Sequence, residues 1–154
     1  MSAANRERRT ARILLFDPKG RILLLKGRLP STPDSPGWWF TVGGGIEPGE
    51  TVREAALREI AEETGFTDVE LGESIFETDQ ILHDRKHRPV RHLATFLFAR
   101  CPGGEPSRDA WQALEREFVD DMRWWTLRDL AALEEPIYPA DLAVRAAAAW
   151  ATQG

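Results

Sequence analysis

The stretch GGGIEPGETVREAALREIAEETGF, Gly43 to Phe66, decides how this chain reads. Three consecutive glycines lead into a turn at Pro48-Gly49, and a predicted helix from about Thr51 to Thr64 is stopped by Gly65. On a helix, Glu59, Glu62 and Glu63 share one face. Leu57, Ile60, Ala61 and Thr64 make a second stripe suited to packing on a sheet. Val52, Ala55 and Ala56 lie on nearly the acidic side, where small residues let another backbone approach closely. Like charges three and four residues apart destabilise a helix by roughly 0.2–0.5 kcal/mol per pair. Either the face is solvated, with Arg58 four residues from both Glu54 and Glu62, or a cation belongs there. A helix shaped only for solubility would interleave lysines. The glycines favour the cation, because they let the loop carry the Gly43 carbonyl back over the acidic face. Carboxylates plus a carbonyl form an oxygen-only set that suits Mg²⁺ first and Mn²⁺ second. Zinc would call for histidine or cysteine, and the cluster has neither.

Outward from this stretch, apolar runs and turn residues predict strands over residues 10–17 and 21–28, joined as a hairpin by Pro18-Lys19-Gly20. Residues 29–37 hold three prolines and read as a loop, and Trp38 to Val42 is a short strand. Two long strands, 70–82 and 90–100, flank a basic hairpin tip at 83–89. A polar segment covers 109–119, a strand 122–127, a short helix the stretch LRDLAALEE, and a last helix 139–153. Strands mixed with helices in this order imply a mixed sheet covered by helices, not a strict parallel βαβ array. There is no internal repeat or low-complexity linker.

The 154 residues suit one domain, 1–154, with about 1–9 as a flexible N-terminal arm. A net charge of −5 gives no global basic field, so nucleic acid and anionic membranes are not expected partners. Cys101 is the only cysteine, which excludes an internal disulfide. No apolar run approaches a membrane span or a signal-peptide core, and a cytoplasmic location is the simplest expectation.

Gly44, Glu50, Arg58-Glu59-Ile60-Ala61-Glu62-Glu63 and Gly65-Phe66, at these spacings, resemble the complete Nudix box over 23 residues. The resemblance implies an α/β/α sandwich with a central mixed sheet. It also implies metal-dependent hydrolysis of a pyrophosphate bond in a nucleoside diphosphate linked to a further group. Carried onto this chain, Glu59, Glu62 and Glu63 would ligate the metal, with the Gly43 carbonyl as a further ligand. Arg58 would pair with Glu50 and orient the cluster, and Glu50 would reach the metal or its waters. In this family the base is either a box glutamate or one in a later loop; here the later candidates are Glu117, favoured, and Glu115. A small-molecule nucleotide is the implied substrate, and a homodimer is in keeping with the family.

Substrate contacts are expected from Lys26 and Arg28 at the end of the second strand, unless these are solvated strand-end charges. Of Trp38 and Trp39, one should be core and the other should line the pocket, with Trp39 taken as the substrate contact. Trp124 and Trp125 are expected to pack beneath the last helices. Arg91, beyond the tip cations Arg85, Lys86, His87 and Arg88, is a further phosphate candidate, although such a run is more often a solvated hairpin end. Fifteen or so residues past the box, Asp79 to Asp84 holds neither the proline of ADP-ribose hydrolases nor the tyrosine of diadenosine-polyphosphate hydrolases. The coenzyme A signature is missing as well. A nucleotide-sanitising (d)NTP pyrophosphohydrolase is therefore the favoured function. The alternatives are a non-catalytic nucleotide-sensing module and an RNA 5′-pyrophosphohydrolase.

Overall fold

The computed structural model describes residues 6–28, 37–84, 86–111 and 118–154. Its organising strand is β1 (Glu7–Phe16), which runs parallel to β5 (Pro89–Arg100) from Glu7↔Arg91 to Phe16↔Arg100. Beyond β5 lies β4 (Glu70–His83), antiparallel to it. On the other side of β1 come β2 (Ile22–Gly27), β3 (Trp38–Gly45) and the two-residue β7 (Ile137–Tyr138), with β6 (Val119–Trp125) pairing β2. Parallel and antiparallel pairs coexist, so the sheet is mixed, as the sequence predicts.

The expected β1–β2 hairpin is reduced to its turn, for only Phe16↔Ile22 is in register. β1 instead pairs β3 at Thr10↔Gly45 through Ile13↔Val42, because β3 continues as a strand through all three glycines. The strand also starts earlier than expected: Glu7 to Arg9, assigned to a flexible arm from sequence, sit in the β1–β5 ladder. The β4–β5 hairpin forms as expected, closed by His83↔Pro89 and an Asp84 amide donating to the Arg88 carbonyl.

Side chains alternate across each strand and fill two cores. One face carries Ala11, Ile13, Leu15, Leu23, Leu25 and Val42 against Ala55, Ala56 and Ile60 of helix α1 (Val52–Thr64). The other carries Leu14, Phe16, Ile22, Leu24, Phe96 and Phe98 against α2 (Leu127–Ala131) and α3 (Leu142–Gln153). Helices on both sides of the sheet make the α/β/α sandwich. The last helix begins three residues later than Pro139, because Ile137 and Tyr138 first extend alongside β3. Among the described residues no helix is long and apolar enough to cross a membrane.

Alternation also separates the paired tryptophans. Trp125 packs under α2 and α3 as expected, with Trp39 edge-on at 5.0 Å between ring centres. Trp124 does not. It points to the opposite face, stacks on Phe66 and donates its indole N–H to the Gly104 carbonyl at 2.8 Å.

Candidate active site

Local chemistry fixes α1 at both ends. The Thr51 hydroxyl accepts the Glu54 amide while the Glu54 carboxylate accepts the Thr51 amide, a reciprocal capping box. Gly65, in the left-handed region at φ 79°, ends the helix and donates to the Ala61 carbonyl. Beyond the last turn, the Ser107 amide donates to the Thr64 carbonyl, and the buried Trp111 indole donates to the Glu63 carbonyl at 2.7 Å.

The stripe expected to pack on the sheet does so only in part: Ile60 and Thr64 are buried and Leu57 is not. Leu57 stands 44% exposed, whereas Glu59 and Glu63 keep only 8% and 6% of their surface. Ala55, Ala56 and Ile60 supply the apolar packing, and the helix turns its acidic residues toward the glycine end of β3. Gly44 makes that approach feasible, and Gly43 lets β1 pack closely. A Cβ on Gly44 would lie 2.5 Å from Oε1 of Glu59, and one on Gly43 only 2.2 Å from the Ala11 carbonyl oxygen. The Gly43 amide donates to Oε1 of Glu63 at 2.9 Å, which partly repays burial of that carboxylate.

Arg58 holds the cluster together. Its Nε and Nη2 grip Glu50 at 2.7 and 2.9 Å, Nη2 also donates to the Gly45 carbonyl at 2.8 Å, and Nη1 reaches Glu59 at 2.9 Å and Glu62 at 3.4 Å. The grip of Arg58, followed by the Glu47 backbone, holds the Glu50 carboxyl down at about 2. Glu59 moves the other way: burial raises its pKa against the opposing pull of Arg58. Sequence placed Gly43, Glu50, Arg58, Glu59, Glu62 and Glu63 together, and the fold brings them together. Among the described residues, no three acidic, histidine or cysteine side chains converge closely enough to enclose an ion. Arg58 draws Glu59 and Glu62 toward itself, and Gly43 takes Glu63. The donors nonetheless suit a hard cation, being carboxylates and a carbonyl, and Glu59 lies so close to β3 that a Cβ at Gly44 would meet its carboxylate.

The substrate-contact candidates are dispersed. Lys26 forms an ion pair with Glu135 and lies over the Trp39 ring, on the face of the sheet opposite α1. Trp39 is the core member of its pair at 2% exposure, with Arg123 over both it and Trp125, while Trp38 is half-buried against Phe40 and Phe118. Arg28 pairs with Asp120 at 2.8 Å. Arg91 is held by Asp79 in a two-pronged contact at 2.9 and 2.7 Å, with Glu7 nearby, so it is not presented to the acid cluster. Glu115, Glu117 and Arg85 lie outside the described residues.

Sequence reading missed Arg12. This arginine is the one charged residue among the buried positions that run from Thr10 to Phe16 of β1, which was the available signal. Its Nη1 donates to the Gly43 carbonyl at 3.3 Å. Burial lowers its pKa while the charges of Glu63 and Glu59 raise it.

Comparison with known proteins agrees with this arrangement. The NUDIX domain family profile matches residues 6–146. The RNA pyrophosphohydrolase of Caulobacter vibrioides is 34% identical over 131 residues, 80% of this chain and 74% of that one. The nucleoside triphosphatase NudI of an Enterobacter species is 63% identical over 30 residues, 20% of this chain and 21% of that one. Among solved structures, a MutT NUDIX hydrolase from Burkholderia pseudomallei superposes with a TM-score of 0.61 at 26% identity, covering 91% of this chain and 97% of the other. A family match across most of the chain, with the box at its centre, makes this protein a member of the Nudix hydrolase family.

Proposed function

We propose that this protein is a Mg²⁺-dependent pyrophosphohydrolase of nucleoside triphosphates, with Mn²⁺ as a substitute ion. The carrying observation is the burial of Glu59 and Glu63 against a strand whose Gly44 has no room for a side chain. Glu59, Glu62, Glu63 and the Gly43 carbonyl would hold the cation. When bound, such an ion neutralises phosphate oxygens and acidifies water for in-line attack. Arg58 keeps Glu59 and Glu62 aligned through Glu50 and the Gly45 carbonyl. The proton from the attacking water goes to a box carboxylate or to Glu117.

Alanine at Gly44 should drive the Glu59 carboxylate out of place. A misplacement of this kind costs up to about a hundredfold in turnover, and Gly44→Ala should lose that much kcat with the fold retained. Wild-type turnover in Gly44→Ala would remove Glu59 from the reaction.

RNA 5′-end hydrolysis is the second reading, favoured by likeness to the Caulobacter protein. The hairpin tip weighs against extended RNA contact, because Asp84 takes both Arg6 and Arg88 while Asp79 takes Arg91. Phosphate and pyrophosphate release should be measured on dNTPs, ADP-ribose, dinucleoside polyphosphates and 5′-triphosphorylated RNA, with Mg²⁺ or EDTA, across a salt series. We expect metal-dependent turnover that is fastest on nucleoside triphosphates and changes little with salt. A KM for RNA that rises steeply with salt, together with faster RNA turnover, would favour the second reading. Nucleotide binding with no turnover of any substrate would make the protein a sensor.

A further inference from the structure

A group of like charges opposite in sign to the glutamates lies on the other face of the sheet from α1. Arg8 and Arg12 lie on the β1 face that carries Leu14 and Phe16, and His92 of β5 is in register with Arg8 on that same face. The three feel one another: after burial, and against the opposing charge of Glu63, Arg8 lowers the pKa of Arg12, and after burial it is Arg8 and Arg12 that lower the pKa of His92. Neither arginine forms an ion pair among the described residues. Tyr138 of β7 favours the Arg12 charge, and its hydroxyl lies 3.4 Å from the Thr78 hydroxyl of β4. A guanidinium has five N–H donors, yet among the described residues Arg12 makes one side-chain hydrogen bond, the long one to Gly43. In a chain of net charge −5, this is a local excess of positive charge with unused donors.

The Gly43 residue joins this group to the acid cluster. Its amide serves Glu63 and its carbonyl serves Arg12, so the two charged groups meet across one residue of β3. We propose that Arg12, supported by Arg8 and His92, is a phosphate-binding cradle that takes the terminal phosphoryl group of the polyphosphate whose pyrophosphate bond lies at the glutamates. This rests on the pyrophosphohydrolase reading and narrows it. A terminal phosphoryl group carries the double charge and free oxygens that a fork of N–H donors grips best. The internal pyrophosphate of ADP-ribose, esterified at both ends, lacks such a group. The cradle therefore selects nucleotides that end in phosphate.

Binding of inorganic tripolyphosphate in metal-free buffer, measured by calorimetry, tests this without any turnover. Wild type, Arg12→Gln, Arg12→Lys and the exposed-site variant Arg8→Gln should be compared, alongside steady-state kinetics on dGTP and ADP-ribose. Loss of a charge-assisted contact weakens binding about tenfold or more. Arg12→Gln should lose tripolyphosphate affinity by that factor, and its KM for dGTP should rise more than its kcat falls. Arg12→Lys should recover part of the affinity, Arg8→Gln should show a smaller loss, and KM for ADP-ribose should not move. Wild-type tripolyphosphate affinity in both Arg12→Gln and Arg8→Gln would overturn the cradle. So would an equal rise in KM for both nucleotides, which would make Arg12 a strut for Gly43. Arg12-dependent binding with no hydrolysis of any nucleotide would retain the cradle and sink only the catalytic reading.

Discussion

Changing Glu63 to glutamine should lower kcat on the best substrate roughly a thousandfold, a loss of about 4 kcal/mol of transition-state stabilisation. The substitution keeps the shape of the side chain. A glutamine carbonyl can still accept the Gly43 amide that Glu63 takes at 2.9 Å, so the fold should survive. What disappears is the charge. Mg²⁺ at a hundred times its dissociation constant should stabilise wild type by about 2.7 kcal/mol. In a domain of this size that raises Tm by about 5–10 °C. Thermal unfolding with Mg²⁺ and with EDTA, run beside steady-state kinetics, gives both readouts. Glu63→Gln should unfold at the same temperature in either buffer. A variant that kept the wild-type Mg²⁺ shift would show that Glu63 is no ligand, whatever happened to its rate.

Arg58→Ala should damage stability and rate together. Arg58 is the shared partner of Glu50, Glu59, Glu62 and the Gly45 carbonyl, and it remains partly exposed. Its removal leaves Glu59 buried without its counter-charge. Breaking a fully buried pair costs about 3–5 kcal/mol; solvent at Arg58 brings the expectation down to about 2 kcal/mol, or about 4–8 °C in Tm. Loss of an orienting partner of metal ligands typically costs about 10–100-fold in activity. Lysine at this position should recover little, because one ammonium cannot reproduce the two-pronged grip on Glu50. Full activity in Arg58→Lys would show that charge alone, and not the fork, holds the cluster.

Much of the site was legible because its signals are local. A start near Thr51 and a stop at Gly65 are read within a few residues of chain, and the structure caps the helix at both points. The expectation of a hard cation comes from residue type, since carboxylates without histidine or cysteine do not suit zinc. The orientation of the helix was not legible. Periodicity gave two stripes, and of the apolar one Ile60 and Thr64 are buried as expected, yet Leu57 faces out and Glu59 and Glu63 face in. Only the glycine strand packed against them provides a place where buried carboxylates find an amide donor and close backbone.

The same division holds across the sheet. Alternation requires that neighbours such as Trp38 and Trp39, or Trp124 and Trp125, part company, but it does not say which goes where. That depends on register, and a shift of one residue exchanges the two faces. Arg91 looked available for phosphate until the β4–β5 register set it against Asp79, and Arg12 looked like one arginine in a buried strand until β3 brought Gly43 to it. Sequence by itself determined the loop–helix motif, the family it resembles and the oxygen-only donor set, because propensity, capping and ligand chemistry act over a few residues. Tertiary structure alone decided which charges are buried, which are already paired and which converge on Gly43, because those depend on pairing between strands far apart in the chain.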